Sequence, residues 1–233
     1  MVQEGRQPGT LLGRRSAGGL LVCHELAPPA HLAETYRRAG QYVELTLAGK
    51  RTFFALAGEP LAATWEIFVR PGGDVADALL AAPLGGDLGL SAALGAGFPL
   101  EEAASKRLFV LATGSGIAAV RPVLNHRVRT GQAPATEVFL GVPRRADLPM
   151  PDEVARWTAS GVAITVCLSQ EPAAEVGAAE GYVQDALRRR AAISPARLAT
   201  AMVFAAGTPA MVRDARKLAT TLGLTEADIR TNY

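Results

Sequence analysis

The stretch that decides the fold runs Lys106-Arg-Leu-Phe-Val-Leu-Ala-Thr-Gly-Ser-Gly-Ile-Ala-Ala-Val-Arg-Pro-Val123. Leu108 to Ala112 is an unbroken apolar run, the pattern of a strand covered on both faces. Thr113 to Gly116 supplies a glycine turn, after which Ile117, Val120, Leu124 and Val128 recur on one side of a helix. Gly114 and Gly116 allow a sharp bend and a close approach to a ligand, and the N–H groups and positive dipole end of the following helix favour a phosphate there. Gly114-Ser-Gly116-Ile-Ala-Ala119 also fits the loose G-x-G-x-x-A pattern, which taken alone is equally an ordinary tight turn.

Downstream of Lys106 the chain alternates between strand and helix. Strands are expected at Leu108–Ala112, Glu137–Val142, Ala163–Leu168 and Ala201–Ala205, with helices near 117–130, 151–160, 179–190 and 209–222. Four such units imply a parallel sheet covered by helices on both faces. The last helix is the clearest, with Met211, Val212, Ala215, Leu218, Ala219 and Leu222 in one stripe, Pro209 in its first turn and Gly223 just past its end.

Upstream, the grammar is that of β structure. Thr10–Arg14, Leu20–Leu26, Gln41–Leu47, Thr52–Ala57, Thr64–Val69 and Asp87–Ser91 read as short strands separated by Ala-Gly-Gly, Pro-Pro, Ala-Gly-Lys and Pro-Gly-Gly turns. Six strands at this spacing predict a small antiparallel barrel, because closure removes exposed edges. Asp74 to Ala82 is a helical insertion with Asp74 as its expected cap. The fold class is therefore β followed by α/β, with domains at 1–104 and 105–233.

Composition narrows the function classes. The chain has 233 residues, 49% of them apolar and 20% charged, which is globular. It has neither an apolar run long enough for a membrane span nor the apolar core of a signal peptide at its start, so a cytoplasmic protein is expected. Cys23 and Cys167 are too few for a disulfide framework and lie in apolar runs, as buried thiols do. His24, His31 and His126 show no metal-ligand spacing. Residues 1–104 carry 8 Lys+Arg against 11 Asp+Glu, a net −3; residues 105–233 carry 16 against 11, a net +5. A phosphorylated small molecule accounts for that excess better than nucleic acid, since no basic run is interleaved with aromatics. Arg188-Arg-Arg190 reads as the solvated end of a helix.

Several segments, taken in order, resemble the ferredoxin–NADP reductase superfamily. Gly40-Gln-Tyr-Val43 is similar to that family's P-G-Q-Y-V strand start, and Arg51-Thr-Phe-Phe-Ala-Leu-Ala57 stands in place of its R-x-Y-S flavin motif. Leu111-Ala-Thr-Gly-Ser-Gly-Ile-Ala118 resembles its nucleotide loop, and Gly141-Val-Pro-Arg-Arg-Ala-Asp-Leu148 the segment after the second strand. Gly181-Tyr-Val-Gln-Asp185 is similar to a G-Y-V-Q element, and Phe204-Ala-Ala-Gly-Thr-Pro-Ala-Met-Val212 to the C-G-P-P-x-M-V signature.

The resemblance implies a flavoprotein that passes hydride from NAD(P)H to FAD and electrons to a separate acceptor protein or a larger redox complex. It would place Arg51 on the flavin phosphate, Thr52 beside it, and Phe53 against the isoalloxazine ring. Phe54 stands where the family has a serine near the hydride-accepting nitrogen, and Ala206 where it has a cysteine near the nicotinamide; Phe53, Phe54 and Ala206 are thus the candidate catalytic positions. Gly73 and Val75 belong to a G-x-x-S/T helix start in which Ala76 replaces the hydroxyl residue. Thr113, Gly114, Ser115, Gly116 and Ile117 would cradle the dinucleotide, with Gly207, Pro209 and Met211 opposite. Arg144 and Arg145 would meet a 2′-phosphate, tilting the coenzyme to NADP over NAD, or else form a solvated loop; Ser169 would donate one hydrogen bond. Tyr233 would cover the flavin or fray. The departures at Phe54, Ala76 and Ala206 equally fit a relative that has lost efficient redox chemistry and serves as a nucleotide-binding regulatory subunit. The motifs specify neither the acceptor nor an oligomeric state.

Overall fold

Runs of β-branched, aromatic and leucine side chains broken by Gly and Pro turns give the first half of the chain six antiparallel strands. The computed structural model describes residues 6–194 and 200–232. Its first strands are β1 (Gln7–Ser16), β2 (Val22–Ala27), β3 (Tyr42–Leu47), β4 (Lys50–Ala55), β5 (Trp65–Val69) and β6 (Asp87–Leu90). They form one sheet in the order β4-β3-β6-β1-β2-β5. An antiparallel bridge between Leu56, just beyond β4, and Ile67 of β5 joins the two outer strands, so the sheet curls round on itself as a barrel. Leu11, Leu26, Val43, Leu45, Trp65 and Ile67 fill its interior.

Helix α2 (Asp74–Ala81) covers the barrel with Val75, Ala76 and Leu79. Its cap differs from expectation. Gly73 is the cap, Asp74 is the first helical residue and pairs with Lys50, and Asp77 takes over the capping role. The Asp77 carboxylate accepts from the Gly72 N–H at 2.9 Å and the Gly73 N–H at 3.3 Å. The reason is reach: with Gly73 at φ 136°, the orphan donors point back over the first turn to a side chain four residues on. Two single-turn helices, α1 (Ala30–Ala33) and α3 (Leu100–Ala103), complete this half.

From Arg107 the sheet is parallel, in the order β10-β9-β8-β7-β11-β12. The expected strands appear as β7 (Arg107–Thr113), β8 (Thr136–Val142), β9 (Ala163–Leu168) and β11 (Ala201–Ala206). Helices α4 (Ile117–Arg129), α5 (Pro151–Ala159), α6 (Val183–Ile193) and α7 (Pro209–Thr221) lie on its two faces, each covered by its own apolar cluster. Two short edge strands were not legible in the sequence: β10 (Ala178–Glu180) and β12 (Ile229–Thr231). Three residues are too few to show a period, and β10 displaces the start of α6 from 179 to Val183. The Arg188–Arg190 run is also not simply solvated. Arg190 pairs with the buried Glu137 of β8, Arg188 pairs with Asp185, and Arg189 donates to the Glu180 carbonyl.

One polar stripe of α4 fixes the two halves together. Arg121, Asn125 and Arg129 are spaced one turn apart and so share a face. Arg121 pairs with Glu66 of β5, donates to the Ala57 carbonyl at 2.9 Å and forks onto Glu153 of α5 at 2.8 Å. Asn125 donates to Glu59 at 3.0 Å, and Arg129 lies 3.4 Å from the same carboxylate. Burial opposes the Arg121 charge, but Glu153 and Glu66 outweigh it and hold the guanidinium firmly protonated. Phe98 of the linker adds a stacked contact with Phe204 of β11, ring centres 4.6 Å apart. Among the described residues, no helix is long and apolar enough to cross a membrane.

Candidate functional site

Every parallel strand ends on the same side of its sheet, and ligand crevices in such folds open there. Here the C-terminal ends of β7, β8, β9 and β11 face the barrel across a cleft of about 890 Å³. Thr113, Gly114, Ser115 and Gly116 form its floor, as a single 3₁₀ turn between β7 and α4. Gly114 has φ 53°, and a Cβ there would meet no heavy atom within 4 Å, so its bare backbone faces the open cleft. Gly116 has the opposite reason for being glycine. A Cβ would come within 2.3 Å of the Ala206 carbonyl oxygen, so the turn packs directly on the loop after β11. Gly207 repeats this from the other side: its Cβ would fall 2.1 Å from Thr113 Oγ1 and 2.6 Å from the Met211 side chain. Thr208 caps α7 by accepting from the Met211 N–H at 3.3 Å.

The barrel wall of the cleft is aromatic. Tyr42 and Phe53 meet edge to face with ring centres 5.7 Å apart, and Phe54 and Phe68 line the same wall. Phe53 is 59% exposed, a large apolar face left open to the cleft. Three buried polar atoms among the lining residues lack a hydrogen-bond partner among the described residues: Thr113 Oγ1, Gln184 Oε1 and Asn232 Oδ1. Leaving a buried polar atom unpaired costs about 1–3 kcal/mol, so these atoms mark places where a ligand's polar groups would be complementary.

Of the positions singled out from sequence, Phe53, Phe54, Thr113, Gly114, Ser115, Gly116, Ser169, Gly207 and Met211 line this one cleft. The others lie elsewhere. Ile117 and Ala206 are buried in the core behind it, and Ala76 faces the barrel interior with Val75. Pro209 is the exposed first residue of α7, and Thr52 is half-buried on β4. Arg51 is exposed, 3.7 Å from Glu44, and Gly73 caps α2. Arg144 and Arg145 open a 3₁₀ turn outside the cleft, where the Arg145 side chain lies 3.3 Å from Glu175 and its N–H meets Glu171. Tyr233 lies outside the described residues.

Several cleft residues escaped the sequence reading. Tyr42, Tyr182 and Gln184 sit inside segments quoted above, where strand and helix periodicity accounts for them equally well. Arg70 and Asp214 bring charge to the cleft but carry no motif. Asn232 reaches it only because β12 pairs with β11 and carries the chain end to the barrel. Cys167 also lines the cleft; its thiol is pushed up to about 12 by burial, which makes it a poor nucleophile.

Residues 110–217 match the family model described as the oxidoreductase NAD-binding domain. No curated protein matches the chain. Among solved structures, the cytochrome P450 reductase GcoB of Amycolatopsis is 22% identical with a TM-score of 0.82, over 97% of this chain and 69% of that one. A ferredoxin NADP+ reductase from Neisseria gonorrhoeae, solved with bound FAD and NADP, is 18% identical with a TM-score of 0.81, over 98% of both chains. The FAD/NAD-binding domain of nitric oxide dioxygenase from Vibrio cholerae is 17% identical with a TM-score of 0.80, again over 98% of both. Residues 110–217 are thus similar to the oxidoreductase NAD-binding domain, and the chain as a whole has the fold seen in the ferredoxin NADP+ reductase.

Proposed function

We propose that this chain is an NAD(P)H-dependent flavin oxidoreductase, with residues 1–104 holding FAD and residues 105–233 holding the nicotinamide dinucleotide. The observation that carries this reading is the single cleft with a glycine-turn floor and an aromatic wall. The residues present fit both groups. Gly114 leaves room for a phosphate against bare backbone, and the unpartnered Thr113 and Gln184 atoms suit the polar parts of a dinucleotide. The open face of Phe53, braced by the Tyr42 edge, suits a flat conjugated ring.

FAD, when bound, supplies the exchange between two-electron hydride chemistry and one-electron transfer; the protein supplies position and environment. Thr113 to Gly116 fix where the coenzyme lies, since the Gly116–Ala206 and Gly207–Thr113 contacts leave the loop no slack. Arg121, Asn125 and Arg129 hold that loop's helix to the barrel and so set the distance between the two walls. No general acid or base is needed for direct hydride movement, in keeping with the buried, non-nucleophilic Cys167. Electrons would leave to a separate acceptor protein or a larger complex in the cytoplasm.

A second reading, a nucleotide-binding regulatory subunit, is favoured by the lack of a hydroxyl or thiol at Phe54, Ala76 and Ala206. One experiment separates them. The purified chain is incubated with FAD, desalted, and titrated anaerobically with NADPH and with NADH. A yellow protein whose visible absorbance bleaches with either coenzyme supports the oxidoreductase. A protein that stays colourless refutes it and leaves the regulatory reading, which nucleotide binding alone would satisfy.

A further inference from the structure

We propose that Asn232 is a flavin-recognition residue whose side-chain carbonyl accepts the ring N–H of the isoalloxazine, so that the last strand of the nucleotide half completes the flavin site. This rests on the oxidoreductase reading above. Three observations carry it. Asn232 Oδ1 is buried with no hydrogen-bond partner among the described residues, and the residue lines the cleft. An unpaired buried acceptor is complementary to a ligand donor and to little else.

The second observation is placement. Ile229–Thr231 adds to β11 as an edge strand, which delivers Asn232 across to the barrel. There its backbone oxygen is 3.4 Å from where a Gly95 Cβ would stand, and the Tyr42 ring is 2.8 Å from that same point. Asn232 thus stands on the aromatic wall, beside the Tyr42–Phe53 pair, whereas the unpartnered Thr113 and Gln184 belong to the nucleotide wall. Gly95, with φ 85°, allows this approach because any side chain there would strike the Tyr42 ring.

The third is chemical. Oxidised isoalloxazine is flat, stacks on aromatic faces, and carries one ring N–H, at N3, flanked by two carbonyls. A primary carboxamide matches that imide edge, accepting from the N–H through Oδ1 and presenting its NH₂ to a flanking carbonyl. A nicotinamide ring offers an N–H only on its own carboxamide, so the two candidate ligands can be told apart with analogues that lack one N–H each.

The test uses the 233-residue chain freed of flavin, and reads binding by quenching of flavin fluorescence. Riboflavin and its N3-methyl derivative are titrated into the wild type, Asn232→Ala and Asn232→Asp. In the wild type, N3-methylation should weaken binding about tenfold, because it removes the donor and sets a methyl group against the acceptor. In Asn232→Ala the methylation penalty should shrink to less than about twofold. Asn232→Asp retains an acceptor and should restore a penalty of about tenfold. An equal penalty in wild type and Asn232→Ala overturns the assignment while leaving the flavin reading intact. A change confined to 3-acetylpyridine adenine dinucleotide, which lacks the coenzyme's carboxamide N–H, also overturns it, by moving Asn232 to the nicotinamide. Failure of riboflavin, FMN and FAD alike to bind the wild type rejects the flavin reading itself, and this assignment with it.

Discussion

Replacing Gly116 with Ala tests the close packing of the nucleotide loop. The backbone there is helical, so alanine carries no conformational penalty of its own, and helix propensity would even favour it. The obstacle is steric. The new Cβ would stand 2.3 Å from the Ala206 oxygen, 2.5 Å from its carbonyl carbon and 2.7 Å from the Gly207 nitrogen. All three are backbone atoms at the end of β11, so no side-chain rotation relieves them. To reach ordinary contact the Thr113–Gly116 turn and the Ala206–Gly207 turn must separate by about 1 Å, which as overpacking costs about 1–3 kcal/mol. These turns form one wall of the cleft, and a shift of that size at a positioned site is felt in binding as well as in folding. If the whole cost falls on the bound geometry, NADP+ affinity drops about 5- to 150-fold. Isothermal titration of the flavin-free chain with NADP+ and NAD+ measures this, with thermal melting alongside to read the share taken by stability. Gly114→Ala is the control for the melting measurement only, since its new Cβ would project into the cleft that the coenzyme is proposed to fill. That Cβ meets no protein atom, so its cost in stability is the left-handed backbone alone, about 1 kcal/mol. Wild-type affinity together with an unshifted melting temperature in Gly116→Ala would refute the argument that these two loops are in rigid contact.

Two further outcomes concern stability. Arg127 is 1% exposed and has no carboxylate partner among the described residues; its guanidinium instead serves Thr136 Oγ1 at 2.8 Å, the Ala103 carbonyl at 2.9 Å, Gln132 Oε1 at 3.0 Å and the Lys106 and Ala135 carbonyls at 3.2 and 3.3 Å. Arg127→Met strands several of these acceptors and should lower the free energy of unfolding in urea by about 2–4 kcal/mol, whereas a loss under about 1 kcal/mol would show that water or relaxation replaces the clamp. His24 is fully buried, and burial first, then the charge of Arg14, holds its imidazole below its usual range despite the Val22 carbonyl. The unfolded chain therefore binds the proton first: stability is level above about pH 6.5 and falls as pH drops through the folded value, above the range where Glu66 and Asp228 titrate. Urea midpoints between pH 7.5 and 5 (about one unit each side of the ordinary histidine value) should decline in the wild type and flatten in part in His24→Leu; parallel profiles would assign the decline to other groups.

How much of this was legible beforehand depends on how far apart in the chain the deciding contacts lie. Period and punctuation are local, and every long element followed from them: the apolar run at Leu108–Ala112 became the central strand β7, and Pro209 and Gly223 bracket α7. The glycine turn at Thr113–Gly116 was likewise readable as a sharp bend after that strand, and it lines the cleft. The sequence alone thus determined the order of elements, a barrel followed by a parallel sheet, and which loop faces the crevice. Tertiary structure decided the rest. That Gly116 packs directly on the Ala206 backbone, that Ala76 turns inward, and that Asp77 rather than Asp74 caps α2 are matters of which atoms meet across space. Asn232 shows the limit most plainly. Its segment is too short to carry a period, and its neighbours Tyr42 and Gly95 lie more than a hundred residues earlier, so only the pairing of β12 with β11 brings its unpaired carbonyl to the cleft.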